Sequence, residues 1–405
     1  MTTSRARRLV LPMLACAIAC SSGKQTIARE LDAGHIPGDV LVPVPGGPGY
    51  FGKWPHGPPS DPSFFLRSVW LQNPMNAARF EAVGIDDFIG LDHGPTDDQL
   101  SRLAAAGVPV ICEQAGVWQS HLQDTTIRGW LQPDGPDNAQ LQPDGTYGPC
   151  LDPQAVVDAY RRMAAQDPTR PVYLSFGKGV AITDWIGRGS CTGKTDMYAE
   201  YAQGGDVLAF NDYAVNSGDP LETVAAGVDH LYEWSSRAKP VVAVLEASDY
   251  DDTTRPTPAQ IRAEVWMALV HGALGIEYFC HRFMPTFSET DCLDDAPTAA
   301  TLTQINARIA ALAPVLNGPS VTNGLTTASS TGVPVDTLLK RQGDATYLFA
   351  VAMRNAPTRG TFTLRGFPAD ASAEVLDEGR TLEVADGTFA DDFPAYGVHL
   401  YRVTF

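Results

Sequence analysis

The chain has 405 residues, enough for one large domain and a smaller companion. Its 29 lysines and arginines stand against 47 aspartates and glutamates, and the formal charge of −18 argues against nucleic acid as a partner. Charge of this sign serves solubility and names no substrate.

The first residues read as an export signal. Arg5, Arg7 and Arg8 precede an apolar run from Leu9 to Ala19 that is too short to span a bilayer as a helix. Ala17-Ile18-Ala19-Cys20, followed by Ser21-Ser22-Gly23, resembles the bacterial lipoprotein box, in which small residues precede a cysteine that receives lipid. Ordinary secretion with Cys20 as a passenger is the alternative. The expected location is the periplasm, the cell surface as a lipoprotein, or the medium. No other stretch is long and apolar enough to cross a membrane, so lipid on Cys20 is the expected membrane link. Of the seven cysteines, Cys16 falls in the signal and Cys20 at its end. Cys112, Cys150, Cys191, Cys280 and Cys292 remain, without the spacing of a zinc site, and an exported chain uses such residues for disulfides. Cys150 with Cys191 and Cys280 with Cys292 are the candidate pairs.

With residues 1–20 as signal, 21–62 form a lead-in whose Pro/Gly-rich stretch from Pro37 to Pro62 reads as a tether. From 63 to 318, short apolar β-branched runs alternate with amphipathic helices. The strands are expected at Phe65 to Leu71, Asp87 to Leu91, Val108 to Cys112, Ile127 to Leu131, Val172 to Phe176, Val207 to Phe210, Val241 to Leu245 and Gly275 to Phe279. Thr96 with Gln99 and Thr257 with Gln260 spell capping boxes, and Asp152-Pro153 and Asp219-Pro220 place a cap before a first-turn proline. Eight strands alternating with helices predict a (β/α)8 TIM barrel, an α/β fold. An open doubly wound sheet would usually carry a glycine-rich turn after its first strand, and Trp70-Leu71-Gln72-Asn73-Pro74 is not one. Residues 319–405 change to short alternating segments, Tyr347 to Met353, Gly360 to Leu364, Ala373 to Leu376 and Val398 to Val403. They predict a small C-terminal antiparallel β-sandwich.

In such a barrel the reactive residues stand at the C-terminal ends of the strands. Asp92 and His93, Glu113 and Gln114, Asp134 and Asp137, Asn211 with Tyr213, Glu246, and His281 take those places. Any surface loop is rich in such residues, but together they gather carboxylates and amides on one rim, with Trp118, Trp130 and Trp185 able to offer flat faces to a sugar. Glu246 is the sharpest signal. It ends Val241-Val242-Ala243-Val244-Leu245, a strand apolar at every position, and should project into the barrel mouth; a cap, or a salt bridge near Arg255 or Arg262, is the plainer alternative. Gln114, Asn211, Tyr213 and His281 are candidate sugar contacts. Glu277 sits mid-strand and is left unassigned, and Glu264 reads as structural.

Glycoside hydrolysis with retention needs two carboxyl groups about 5 Å apart. From about Phe64 to Val321 the chain resembles an uncharacterised bacterial branch of the large clan of retaining (β/α)8 glycosidases. Members carry Asp-Glu-Pro-Asp-Asn-Ala-Gln at the end of the fourth strand and a glutamate at the end of the seventh. They continue with a helix like Pro258 to Met267 and a strand like Gly275 to Phe279. The resemblance implies Glu246 as nucleophile and an acid/base glutamate after the fourth strand. Here the motif reads Asp134-Gly135-Pro136-Asp137-Asn138-Ala139-Gln140, with Gly135 at the glutamate position. Three readings follow. Asp134, Asp137 or Glu113 donates the proton; the chain binds sugar without cleaving it; or the leaving group needs no acid. The expected ligand is an oligosaccharide, polysaccharide or glycoside, and the mechanism calls for no metal and no organic cofactor.

Overall fold

The computed structural model describes Ile36, residues 38–368 and residues 370–405. The expected export signal and Cys20 lie outside the described residues.

Eight parallel strands close into a barrel in chain order: β1 (Leu66–Trp70), β2 (Asp87–Ile89), β3 (Val110–Cys112), β4 (Ile127–Leu131), β5 (Val172–Phe176), β6 (Val207–Asp212), β7 (Val241–Glu246) and β8 (Gly275–Phe279). Pairing of β8 with β1, Gly275 beside Leu66, seals the ring. β7 reads as an unbroken apolar run up to Glu246 because both of its faces are buried. In β7, Val242 and Val244 fill the barrel axis with Leu66, Ile111, Tyr173 and Ala209. Val241, Ala243 and Leu245 pack outward against the helices.

Helix starts follow the capping chemistry. Thr96 and Thr257 form complete capping boxes with Gln99 and Gln260, and Asp152 caps Pro153–Gln166 through the Gln154 amide. The Asp219-Pro220 start does not form: the helix is Thr223–Trp234, because Asp219 is drawn into an ion pair with Lys178.

The lead-in is more than a tether. Leu41–Val42 pairs with Ser320–Val321, and Asp39 forms ion pairs with Arg341 and Arg365. Phe51 then enters the axial core, with Tyr50 and Trp54 packed beside it. The Tyr50 hydroxyl donates to the Asp206 carbonyl, just ahead of β6, so this segment closes the N-terminal end of the barrel.

After the helix Ala296–Leu316, one ten-stranded antiparallel sheet makes the C-terminal unit, with Leu41–Val42 as its outermost strand. Phe362 and Tyr401, on strands that are not neighbours in the sheet, bring their rings to 5.7 Å, so the sheet folds over its own core in sandwich fashion. Leu325–Ser329, Val335–Gln342, Arg380–Ala385 and Thr388–Phe393 are strands beyond those the pattern predicts. Trp266 and Phe349, 5.3 Å apart, pack the barrel helix Pro258–Val270 onto this sheet. His271 adds hydrogen bonds to Asp229 of the barrel and Asp336 of the sheet.

Both candidate disulfides form, Cys150–Cys191 and Cys280–Cys292, leaving Cys112 free and buried. The first joins the loops after β4 and β5, and the second closes the loop after β8. Among the described residues no helix is long and apolar enough to cross a membrane.

Candidate functional site

Two groups of carboxyls form at the C-terminal end of the barrel. One lies in the wall between β6 and β7. Glu246 is paired in register with inward-facing Phe279, yet it is wholly buried and its carboxylate is taken up sideways. It accepts the Val215 amide at 2.6 Å and Asn216 Nδ2 at 3.2 Å, both from the segment after β6. Neither Arg255 nor Arg262 reaches it; Arg255 pairs with Asp291, and Arg262 donates to the Val398 carbonyl.

Glu264, from the outer helix Pro258–Val270, meets Glu246 from behind. It is fully buried and neither of its oxygens receives a hydrogen bond from a conventional donor, so it persists there only as the acid. Burial, with the Glu246 charge beside it, holds the Glu264 carboxyl far above the usual range. Burial also raises Glu246, against the bonds from Val215, Asn216 and Glu264. The two carboxyls titrate together, each raised by burial. Sequence reasoning left Glu264 as structural; the available sign was a lone acid inside Ala263-Glu264-Val265-Trp266-Met267.

The second group faces the mouth. Asp134, just past β4, is open to solvent but ringed by protein; burial pushes its carboxyl up to about 6, Ser175 opposing. Across the barrel Glu277, on the inner face of β8, accepts the Tyr173 hydroxyl at 2.6 Å. Burial pushes Glu277 up to about 8, against that bond and with the added charge of Asp134. Tyr213 lies between the groups, its ring 4.9 Å from Phe279 and 6.1 Å from Tyr250. Burial raises its hydroxyl well beyond the ordinary range, and Asp134, Glu277 and Glu246 add to the effect. Asn211 is the other partly open polar residue on the inner face of β6.

The remaining candidates are held elsewhere. Asp137 is fully buried and accepts the Gly177 amide at 2.8 Å and the Tyr198 hydroxyl at 2.7 Å, with Arg188 nearby. Both oxygens pin the segment after β5. Gln114 donates to the Met163 carbonyl, and Trp118 packs edge-on against buried Trp130 at 5.5 Å. These two serve the wall because their outward neighbours offer an acceptor and an apolar face. Trp185 stays partly exposed beyond β5, its ring against Gly187. His281 points Nε2 at the Leu71 carbonyl, 3.1 Å away, and burial lowers its pKa, so it is a neutral ring. Its neighbours Phe283 and Phe287 stand 52% and 59% exposed on the rim.

Gly135 occupies the left-handed region at φ +58°, where a Cβ would come within 2.6 Å of Asn138 Nδ2. Its amide donates to the Ser175 carbonyl. The local backbone is therefore built around glycine. Among the described residues no group of His, Cys, Asp and Glu is arranged to hold a metal ion.

No family model and no curated protein matches the chain. Solved structures resembling it include an endoxylanase of glycoside hydrolase family 30 from Clostridium papyrosolvens C71, 12% identical, TM-score 0.48, covering 91% of this chain and 98% of that one. A glucosidase from Croceicoccus marinus is 12% identical with TM-score 0.45, covering 92% and 97%. An α-amylase from Geobacillus thermoleovorans, solved with acarbose, is 11% identical with TM-score 0.44, covering 85% and 99%. Likeness this distant carries no weight for activity.

Proposed function

We propose that this chain is an exported carbohydrate-binding protein on a glycoside-hydrolase-like barrel, holding an oligosaccharide, polysaccharide or glycoside at its mouth without cleaving it. The enclosure of Glu246 carries this reading. Retaining hydrolysis needs two carboxyls that both touch the sugar, about 5 Å apart. The acid at the end of β7 is instead committed to Val215, Asn216 and Glu264. At the position where the family resemblance puts the proton donor, the backbone suits glycine. Asp134, Asn211 and Tyr213 remain to bond sugar hydroxyls, with Trp185, Phe283 and Phe287 as flat surfaces at the rim.

The test is to measure binding of a saccharide panel by calorimetry, then incubate each bound sugar with the protein and analyse for products. Binding without products, weakened roughly tenfold or more by Asp134→Asn, is the expected result. Turnover that disappears in Glu246→Gln would establish hydrolysis instead.

One observation favours that second reading: Asp134, raised to about 6, is suited to act as a relocated acid. A glycosidase of this kind would turn over natural alkyl-linked sugars without help from azide. For export, processing at Cys20 places the chain on a membrane in a Gram-negative host, and Cys20→Ser releases it to the soluble fraction. An unprocessed cytoplasmic product would end that part of the proposal.

A further inference from the structure

The mouth gathers acids with no cation set against them. The groups acting on the Tyr213 hydroxyl are Asp134, Glu277, Glu246 and Tyr250, and no lysine or arginine acts on Asp134 or Glu277. The nearby cations are engaged elsewhere: Lys178 with Asp219, and Arg282 with Asp291. Glu277 Oε1, on a fully buried side chain of the inner face, meets no donor, and neither does buried His281 Nδ1. Once Glu277 is ionised that oxygen needs a donor from a ligand, and an ammonium brings three with no acceptor of its own. Tyr213, Tyr250 and Phe279 supply adjoining aromatic faces, the surroundings that attract a desolvated cation.

We propose that the mouth takes an amine-bearing saccharide, its ammonium held between Asp134 and Glu277 against the rings of Tyr213, Tyr250 and Phe279. The inference rests on the reading of the mouth as a carbohydrate site and narrows its ligand to amino sugars that are not acetylated. Asn211 and the Tyr213 hydroxyl are left for the sugar's own hydroxyls.

Calorimetry on the protein at neutral pH tests this with glucosamine and galactosamine oligomers, their N-acetylated counterparts and neutral hexose oligomers of the same length. The amine forms should bind roughly tenfold or more tightly than the acetylated ones, and added salt should shrink the gap. Asp134→Asn, a change at a solvent-open side chain, should abolish the preference. Because Glu277 holds its proton near neutrality, an arriving ammonium should expel it, and the binding enthalpy will then depend on the buffer's heat of ionisation. Glu277→Gln should remove that dependence. Equal affinity for amine and acetylated sugars would overturn the inference and leave the carbohydrate reading standing. Failure of every saccharide to bind would overturn both.

Discussion

The wall pair Glu246–Glu264 and the mouth pair Asp134–Glu277 both bring carboxyls together at one end of the same barrel, yet they are built for different ends. In the wall, two acids from a strand and its following helix are buried together and complete a packed layer. In the mouth, Asp134 stays open to solvent, and Glu277 is left with one unserved oxygen. A carboxylate at a strand exit is thus available for chemistry only if neighbouring donors have not already claimed it.

The largest effect should come from a third acid. Asp137→Ala leaves the Tyr198 hydroxyl and the Gly177 amide without their acceptor and takes a neighbouring carboxylate away from buried Arg188. Stability should fall by about 3–5 kcal/mol, measured by denaturant unfolding. A loss under about 1 kcal/mol would mean Asp137 is as free as Asp134.

The pH dependence of folding comes next. Glu277 keeps its proton up to about 8, against an ordinary 4.5, so the folded chain binds more protons than the unfolded chain across that window. Stability should therefore fall as pH rises from about 4.5 to 8, at up to about 1.4 kcal/mol per pH unit for such a group. Glu246 and Glu264 push the same way. So does His271: burial alone would lower it, but Asp229 and Asp336 raise it to about 9, and the stability it gives is complete below 6.5 and lost as pH rises through 9. Thermal midpoints from pH 5 to 8 should decline in the parent, and less steeply in Glu277→Gln. An unchanged slope in that variant would take Glu277 out of the balance.

A smaller loss is expected for Gly135→Glu. A side chain in the left-handed region, pressed on Asn138, should cost about 1–2 kcal/mol and create no hydrolysis of alkyl glycosides. Gain of turnover there would show that the loop can rebuild an acid site, and would blur the division between wall and mouth. The smallest effect belongs to Asp134→Asn, within about 0.5 kcal/mol in stability, while saccharide binding drops.

The barrel was legible because β7 and β8 carry nearly unbroken apolar runs, and Thr96 and Thr257 sit three residues before their glutamines. The polar, threonine-rich Leu325–Ser329 was not, since nothing in Leu-Thr-Thr-Ala-Ser separates an edge strand from a loop. At the site, the end of β7 fixed the backbone position of Glu246 but not the direction of its carboxylate. That depends on Val215, 31 residues earlier in the chain, and on Glu264 from the next helix. Glu277 was visible as an acid in Gly-Ile-Glu-Tyr-Phe, but its partner Tyr173 stands 104 residues away, and only closure of the barrel brings them together. The same holds for Gly135, where the letter is plain and the left-handed backbone is not.

The segment from Asp39 to Trp54 gives the molecule a held end and an open end. It is stitched to the outer edge of the C-terminal sheet and then wedged into the barrel floor by Phe51. The mouth opens at the opposite pole. Traction from anything that grips the chain upstream would enter through two short strands and the two arginines on Asp39 before it reached the barrel. A chain moored by that end would point its opening away from the mooring, into the surrounding fluid.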